Sequence, residues 1–319
     1  MTELSATGTP MMVLTGTANP VLAGRIAEEL DQPLCEVTVK RFADGEIFVR
    51  IDENVRGRDV FVIQSTNPPA ENILELLLLI DAAKRASAAR VTAVVPYYGY
   101  ARQDRKDQPR VSIAGKLMAN LIVAAGADRL ITIDFHQHQL QGFFDIPVDH
   151  LYAAPVFMHH YAGMSHDDLV VVATDVGAAK MARGYAKRLG AGLAIMDKRR
   201  PEPNEAEVLN VVGDVDGKRC IISDDMVDTA GTMANAAVAL RERGASEVYA
   251  IATHALLSGP AVERLNGAGF VELAVTDTIA ISDEKRSSLR NLETVSVASL
   301  LARAIESTHY NRSVSKLFT

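Results

Sequence analysis

Two stretches of this chain follow one plan. Gly57-Arg58-Asp59-Val60-Phe61-Val62-Ile63-Gln64-Ser65 lines up with Gly217-Lys218-Arg219-Cys220-Ile221-Ile222-Ser223-Asp224-Asp225. Each is a turn followed by a short apolar run that reads as a buried strand. A helical pattern and a further strand follow in both, Val91-Thr92-Ala93-Val94-Val95-Pro96 in the first copy and Val248-Tyr249-Ala250-Ile251-Ala252-Thr253 in the second. Strands alternating with amphipathic helices make a mostly parallel sheet covered on both faces. A duplicated unit in 319 residues predicts an α/β protein of two domains, 1–155 and 156–319, with the last ~15 residues packing back on the first.

In the first domain a strand is expected at 12–14 and a helix at 20–30. Three strand-like runs follow without a helix between them: 34–41, 46–51 and 60–64. The first two flank Phe42-Ala43-Asp44-Gly45-Glu46, whose Asp-Gly pair is a strong hairpin signal. A helix at 70–86, a strand at 91–95, a polar loop at 97–109, a helix at 112–125 and a strand at 129–133 complete the domain. The second domain is expected to carry strands at 169–173, 193–196, 208–212, 219–223, 248–253 and 271–275. Helices fall between several of these, and a last one covers 298–307.

The second copy carries chemistry that the first lacks. Its strand stops at Asp224-Asp225, and Asp228-Thr229-Ala230-Gly231-Thr232 leads into the alanine-rich run 233–240. Sites in parallel sheets form at the carboxyl ends of strands. Small residues at 229–232 let backbone N–H groups approach an anion, and the next helix adds its positive end. Asp224 and Asp225 would repel a phosphate; they suit sugar hydroxyls or a metal ion. A sugar phosphate satisfies the whole loop, whereas a purely structural reading leaves Asp225 or Asp228 as a helix cap. The first copy has Gln64, Ser65 and Pro68-Pro69 in the corresponding places. Proline lacks the amide that a phosphate needs, so that domain is expected to keep the fold without the site.

Other strand ends carry charge. Tyr97 to Asp107 holds three cations and two acids within six residues, Arg102 to Asp107, after three tyrosines. A solvated loop accounts for the charges but not readily for the tyrosines; a mobile basic segment over a polyphosphate accounts for both. Asp134 and His136 close the strand 129–133. His136 and His138 alternate, so a strand would point both one way, yet no cysteine or third histidine completes a zinc set. Structural and functional roles stand level there. Asp175, in Thr174-Asp175-Val176-Gly177-Ala178-Ala179, is another junction of strand, acid and small residues. Lys198 and Arg200 alternate after the strand 193–196, and both could face the acidic loop.

A hydrophobic share of 48% and a charged share of 23% are those of a globular protein with a sizeable core. The net charge of −7 argues against a nucleic-acid partner and leaves room for a small anionic substrate. Cys35 and Cys220 lie far apart in strand-like runs, as expected of buried thiols in a cytoplasmic protein, with a lone disulfide left open. Residues 1–10 show no signal-peptide pattern, and the most apolar run, 73–80, contains Glu75 and is too short to span a bilayer. No membrane association is expected.

Together these motifs resemble the ribose-phosphate diphosphokinases, or phosphoribosyl pyrophosphate synthetases, of the bacterial and mammalian class. The strand with Asp224-Asp225 and Asp228-Thr229-Ala230-Gly231-Thr232 is similar to the wider phosphoribosyltransferases. Five further segments are similar to the synthetases in particular: Phe42 to Glu46, Tyr100 to Lys106, Asp134 to His136, Gly142 to Pro147, and Asp197 to Pro201. The resemblance spans nearly the entire chain and implies two duplicated phosphoribosyltransferase-like domains. It implies transfer of the diphosphoryl group of ATP to the 1-hydroxyl of ribose 5-phosphate with Mg²⁺. Carried over, Phe42, Asp44, Gly45, Glu46, Arg102 and Gln103 are ATP contacts, and Asp104, Arg105 and Lys106 belong to a mobile loop. His136 and Asp175 are metal or metal-water partners, and Lys198 and Arg200 are catalytic, Arg200 also on the phosphates. Asp224, Asp225, Asp228, Thr229, Ala230, Gly231 and Thr232 bind ribose 5-phosphate. The resemblance also implies a homohexamer. Thr174, Ala178, Ala255 and Asp107-Gln108-Pro109 depart from the family's usual pattern, and none of them removes a charged group from this set.

Overall fold

The computed structural model describes residues 9–199 and 208–317. Along the chain run β1 (Met11–Thr15), α1 (Pro20–Glu29), β2 (Val37–Arg41), β3 (Ile47–Ile51), β4 (Asp59–Ile63), α2 (Glu71–Arg85), β5 (Arg90–Val95), α3 (Ala114–Ala125), β6 (Arg129–Ile133) and β7 (Val148–Leu151). Then come α4 (Ala154–His160), β8 (Leu169–Ala173), α5 (Ala179–Leu189), β9 (Gly192–Arg199), β10 (Val208–Val212), β11 (Arg219–Val227) and α6 (Gly231–Glu242). The chain ends with β12 (Glu247–Ala255), α7 (Ala261–Ala268), β13 (Leu273–Thr276), α8 (Asp283–Ser288), β14 (Leu292–Val295) and α9 (Ala298–His309).

The chain divides into two compact units. One comprises Met1–Tyr152, Thr278–Ala280 and Ser296–Thr319; the other comprises Ala153–Asp277 and Ile281–Val295. The segment that joins the first unit from the far end of the sequence is therefore Ser296 onward, all of α9 included, where the sequence predicts only the last stretch.

In the first unit β1-β4-β5-β6-β7 form a parallel sheet, with the β2–β3 hairpin as a separate two-stranded sheet. In the second, β8-β11-β12-β13-β14 repeat that parallel order, and β9 and β10 extend the sheet beyond β8. The duplication read from the sequence is thus a duplication of topology, β1-α1-hairpin-β4 against β8-α5-hairpin-β11. Every residue of β4 and β8 is buried, as strands covered on both faces must be.

The helices are amphipathic as their spacing requires. In α2, Leu76, Leu79, Ile80 and Ala83 recur on one face and are fully buried, each Leu or Ile contributing about 1.5–3 kcal/mol by leaving water. Asn19 caps α1, its Oδ1 accepting from the Leu22 amide at 3.2 Å, with Pro20 at the first helical position.

The structure differs from the sequence reading at several strand ends, three of which bear on the site and the hairpin. β11 runs on through Asp224 and Asp225 to Val227, because β12 continues to pair with it beyond the end of β8. β9 reaches Arg199 because antiparallel β10 supplies a partner that far. β2 starts at Val37, and Leu34 makes only an isolated bridge to Val13. β6 ends at Ile133 as the sequence reading has it, and the backbone then turns left-handed at Asp134, so His136 and His138 do not share a strand face; His138 opens a 3-10 turn instead. The sequence reading also names no element at β7, α4, α8 or β14. Among the described residues no helix is long and apolar enough to cross a membrane.

Candidate active site

The β11–α6 junction is built so that its backbone carbonyls point into the protein. Val227 O accepts from the Leu256 and Leu257 amides at 3.0 and 3.1 Å, Asp228 O from Ser258 N at 2.8 Å, and Thr229 O from Arg264 Nη1 at 3.0 Å. Ala230 takes a left-handed conformation, φ 61°, and α6 starts at the next residue without a side-chain cap. The first amides of a helix have no acceptor within it. Here those are the amides of Gly231 and Thr232, followed by that of the buried Met233. With its carbonyls engaged elsewhere, the turn leaves the first amides of α6 at the positive end of a helix dipole, an arrangement that can receive an anion.

The two carboxylates precede this cradle on the strand itself. Asp224 Oδ1 accepts from the Asp225 amide at 2.9 Å, and Oδ2 accepts from Thr174 Oγ1 at 2.9 Å. Asp224 keeps some accessible surface, yet it is densely surrounded. Burial first, and the charge of Asp225 second, push its carboxyl up to about 8. Two acids on the strand just before such a turn have the chemistry to accept hydroxyl donors or a cation beside an anion.

The first copy of the junction is filled by its own side chains. Gln64, at the place of Asp224, is 1% exposed. It donates through Nε2 to Asn72 O at 3.2 Å and Glu75 Oε1 at 3.0 Å, and accepts at Oε1 from Ala18 N at 3.1 Å. Glu75 in turn accepts from the Thr17 amide and hydroxyl. A side chain at Gly16 would run into Gln64 Oε1, so this plug requires a glycine there. The amide-poor Pro68-Pro69 turn thus sits beside a pocket that the protein itself occupies.

The other sequence-predicted residues fall as follows. Phe42, Asp44, Gly45 and Glu46 form the exposed tip of the β2–β3 hairpin. The Phe42 amide donates to Glu46 O at 2.9 Å, Asp44 Oδ1 accepts from the Glu46 amide at 3.1 Å, and Gly45 has φ 95°, the left-handed position that such a loop reserves for glycine. Phe42 is half exposed, edge-on to Phe48 at 5.6 Å. Arg102 and Gln103 are exposed in the loop after β5, with Arg105 and Lys106 exposed and Asp104 half-buried beyond them. The tyrosines before that loop have a packing reason: Tyr97 and Tyr98 are buried, Tyr98 donating to Gly115 O at 2.7 Å and lying against Phe135 and Phe144. Only Tyr100 of the three is exposed.

His136 is half-buried just after the left-handed Asp134, on a loop held by the Phe135 amide donating to His150 Nε2 at 2.9 Å. All of these belong to the first unit. In the second unit Asp175 is exposed at the mouth of the β8–α5 turn, its Oδ1 accepting from Ala178 N at 2.9 Å. Lys198 lies within β9, two strands from β11, where the sequence places it after the strand. The Lys198 side chain and all of Arg200 lie outside the described residues.

Sequence reasoning passes over three participants. Thr174 and Arg264 bond directly to the site, and Ser258 supplies the amide on Asp228 O. Thr174 carries one signal, its place before Asp175 at the end of a strand; Ser258 and Arg264 carry none, because they approach from the loop after β12 and from α7.

Each unit is a phosphoribosyltransferase-like domain, a mostly parallel sheet flanked by helices, and the acid pair Asp224-Asp225 stands at the strand junction of the second where the first has Gln64 and Ser65. A family model of the N-terminal domain of ribose phosphate pyrophosphokinase matches residues 11–126, and one of the phosphoribosyl synthetase-associated domain matches residues 198–319. The ribose-phosphate pyrophosphokinase of Chlorobaculum tepidum is 53% identical over 311 residues, covering 97% of this chain and 95% of that one. That of Burkholderia pseudomallei is 50% identical over 310 residues, covering 97% of each. The crystal structure of phosphoribosylpyrophosphate synthetase from Mycobacterium smegmatis matches with a TM-score of 0.90 and 45% identity, over 95% of this chain and 100% of that one. The chain belongs to the ribose-phosphate pyrophosphokinase family.

Proposed function

We propose that this protein transfers the diphosphoryl group of ATP to the 1-hydroxyl of D-ribose 5-phosphate, giving 5-phospho-α-D-ribose 1-diphosphate and AMP for nucleotide biosynthesis in the cytoplasm. The observation that carries the reading is the β11–α6 junction, an anion cradle with two acids beside it, in a chain that matches its family from end to end. The 5-phosphate binds the amides of Thr229 to Thr232 and the Thr hydroxyls. Asp224 and Asp225 accept from the ribose hydroxyls and so orient the 1-hydroxyl, and Asp228 shapes the turn. On the nucleotide side, Phe42 stacks on adenine and Asp44, Gly45 and Glu46 bond its edge, while Arg102 and Gln103 bind the phosphate end.

Attack at the β-phosphorus shifts charge onto phosphate oxygens and the leaving AMP, so catalysis rests on positioning and cations, with no covalent nucleophile. Lys198 and Arg200 are assigned to that charge, and the loop of Asp104, Arg105 and Lys106 closes over the phosphates. Among the described residues no three His, Cys, Asp or Glu side chains gather as a metal cage. That pattern suits Mg²⁺, which keeps several waters and binds through one or two protein ligands plus substrate phosphates. His136 and the exposed Asp175 are the residues that would hold it, directly or through water, and when bound it neutralises phosphate charge. The active assembly is a homohexamer in this reading.

Incubation with ATP, Mg²⁺ and ribose 5-phosphate is expected to release AMP and phosphoribosyl diphosphate in equal amounts. Failure to form AMP, with consumption of phosphoribosyl diphosphate on a nucleobase, would replace the reading by a phosphoribosyltransferase. Sedimentation of the purified protein at the mass of six chains tests the assembly.

A further inference from the structure

Among the differences between the two copies of the strand junction, one concerns a pair of neighbouring positions on adjacent strands. β1 and β4 pair Thr15 with Ile63, and β8 and β11 pair Ala173 with Ser223, so the next residues along, Gly16 with Gln64 and Thr174 with Asp224, are equivalent neighbours. In the first copy the pair is glycine and a buried amide that plugs the pocket, and no side chain fits at Gly16. In the second copy a threonine occupies the glycine's place and its hydroxyl reaches across the strand gap to Asp224 Oδ2 at 2.9 Å. Thr174 is 1% exposed, so water does not compete for that bond.

Resting on the assignment of Asp224 to the ribose hydroxyls, we propose that Thr174 is a positioning residue that holds the Asp224 carboxyl group in the orientation that accepts those hydroxyls. β8 ends at Ala173 while β11 continues, so Asp224 lies just beyond the last residue pair of this edge, opposite Thr174. Its side chain is instead anchored at both oxygens, Oδ1 by the Asp225 amide and Oδ2 by Thr174. The second lone pair of each oxygen stays available to a hydroxyl donor. Removing the Thr174 hydroxyl leaves the carboxyl group held through Oδ1 alone, so that it can turn about χ2, and costs a buried hydrogen bond. The same bond counters the upward push of burial on the Asp224 carboxyl.

The test is kinetics and calorimetric titration of ribose 5-phosphate on the full-length protein, on Thr174→Val and on Thr174→Ser. Thr174→Val keeps the shape and loses the hydroxyl. It is expected to raise both KM and Kd for ribose 5-phosphate about tenfold, with kcat and the KM for ATP within about twofold. Thr174→Ser is expected to bring both back to within about twofold of the parent. Should Thr174→Val not fold, Thr174→Ala carries the same expectation. Unchanged affinity for ribose 5-phosphate in the hydroxyl-free variant, or a serine variant as weak as the valine one, overturns the proposal. If the parent makes AMP while the valine variant binds normally, the positioning role falls and the activity stands. If the parent makes no AMP yet ribose 5-phosphate binding weakens in the valine variant and recovers in the serine one, the activity falls and the positioning role stands.

Discussion

His309 Nδ1 lies 2.7 Å from Asp59 Oδ2, joining the last turn of α9 to the first residue of β4 across 250 positions of sequence. Both residues are 3% exposed. Asp59 also accepts from Arg90 Nε at 2.8 Å, and Arg90 Nη2 donates on to Thr308 O at 3.0 Å. The bond to Asp59 raises the Arg90 guanidinium above its ordinary value, against a smaller opposing effect of burial. A buried carboxylate shared by two donors is what fastens the C-terminal helix to the parallel sheet of its unit.

Removing the acid should therefore hurt more than removing either donor. Asp59→Ala leaves Arg90 and His309 facing each other without a counter-charge and is expected to cost about 3–5 kcal/mol. His309→Ala leaves the Asp59–Arg90 pair intact and is expected to cost about 1–3 kcal/mol. Urea unfolding of both variants measures this; equal midpoints, or a more fragile His309→Ala, would contradict the shared-acceptor arrangement.

Asp224 predicts a pH dependence of the substrate-free protein. Its folded value, about 8, stands above its ordinary 3.8, so the folded state holds a proton that the unfolded chain has released. The stabilisation is complete below about 4 and is lost as pH rises toward 8. Urea midpoints are expected to fall across that window, and Asp224→Asn, which has no proton to lose, should flatten the fall. An unchanged slope in the variant would assign the dependence to other groups.

The left-handed Ala230 makes the phosphate turn sensitive to branching. Ala230→Val sets a β-branched residue at φ 61° and is expected to lose about 1–2 kcal/mol and weaken ribose 5-phosphate binding, with the KM for ATP unchanged. Ala230→Gly accepts that φ freely and should stay within about 1 kcal/mol of the parent, with binding retained. Thermal melts and substrate titrations separate the two outcomes.

Lys198→Ala tests the assignment of the reaction's cations. Turnover is expected to drop about 10²–10³-fold, with melting temperature and sedimentation unchanged, because the lysine is assigned to charge that develops during transfer. Turnover near that of the parent would remove it from the mechanism.

What could be read along the chain was whatever depends on neighbours in sequence. The repeated strand of residues 57–65 and 217–225 announced a duplicated α/β fold, since burial on both faces of a parallel sheet demands continuous apolar runs. Asp44-Gly45 announced the hairpin, since only a left-handed glycine closes it without strain. Asp228 to Thr232 announced a tight turn into a helix, since small residues before a helix leave its first amides uncovered. Tertiary structure decided the rest, because hydrogen bonds and burial join residues whose separation no local pattern encodes. β12 carried β11 on through Asp224 and Asp225, Arg264 and Ser258 turned the cradle's carbonyls inward, and Tyr97 and Tyr98 became core. The gap at the end of β8 put Thr174 against Asp224, and Asp59 drew in Arg90 and His309 from distant parts of the chain.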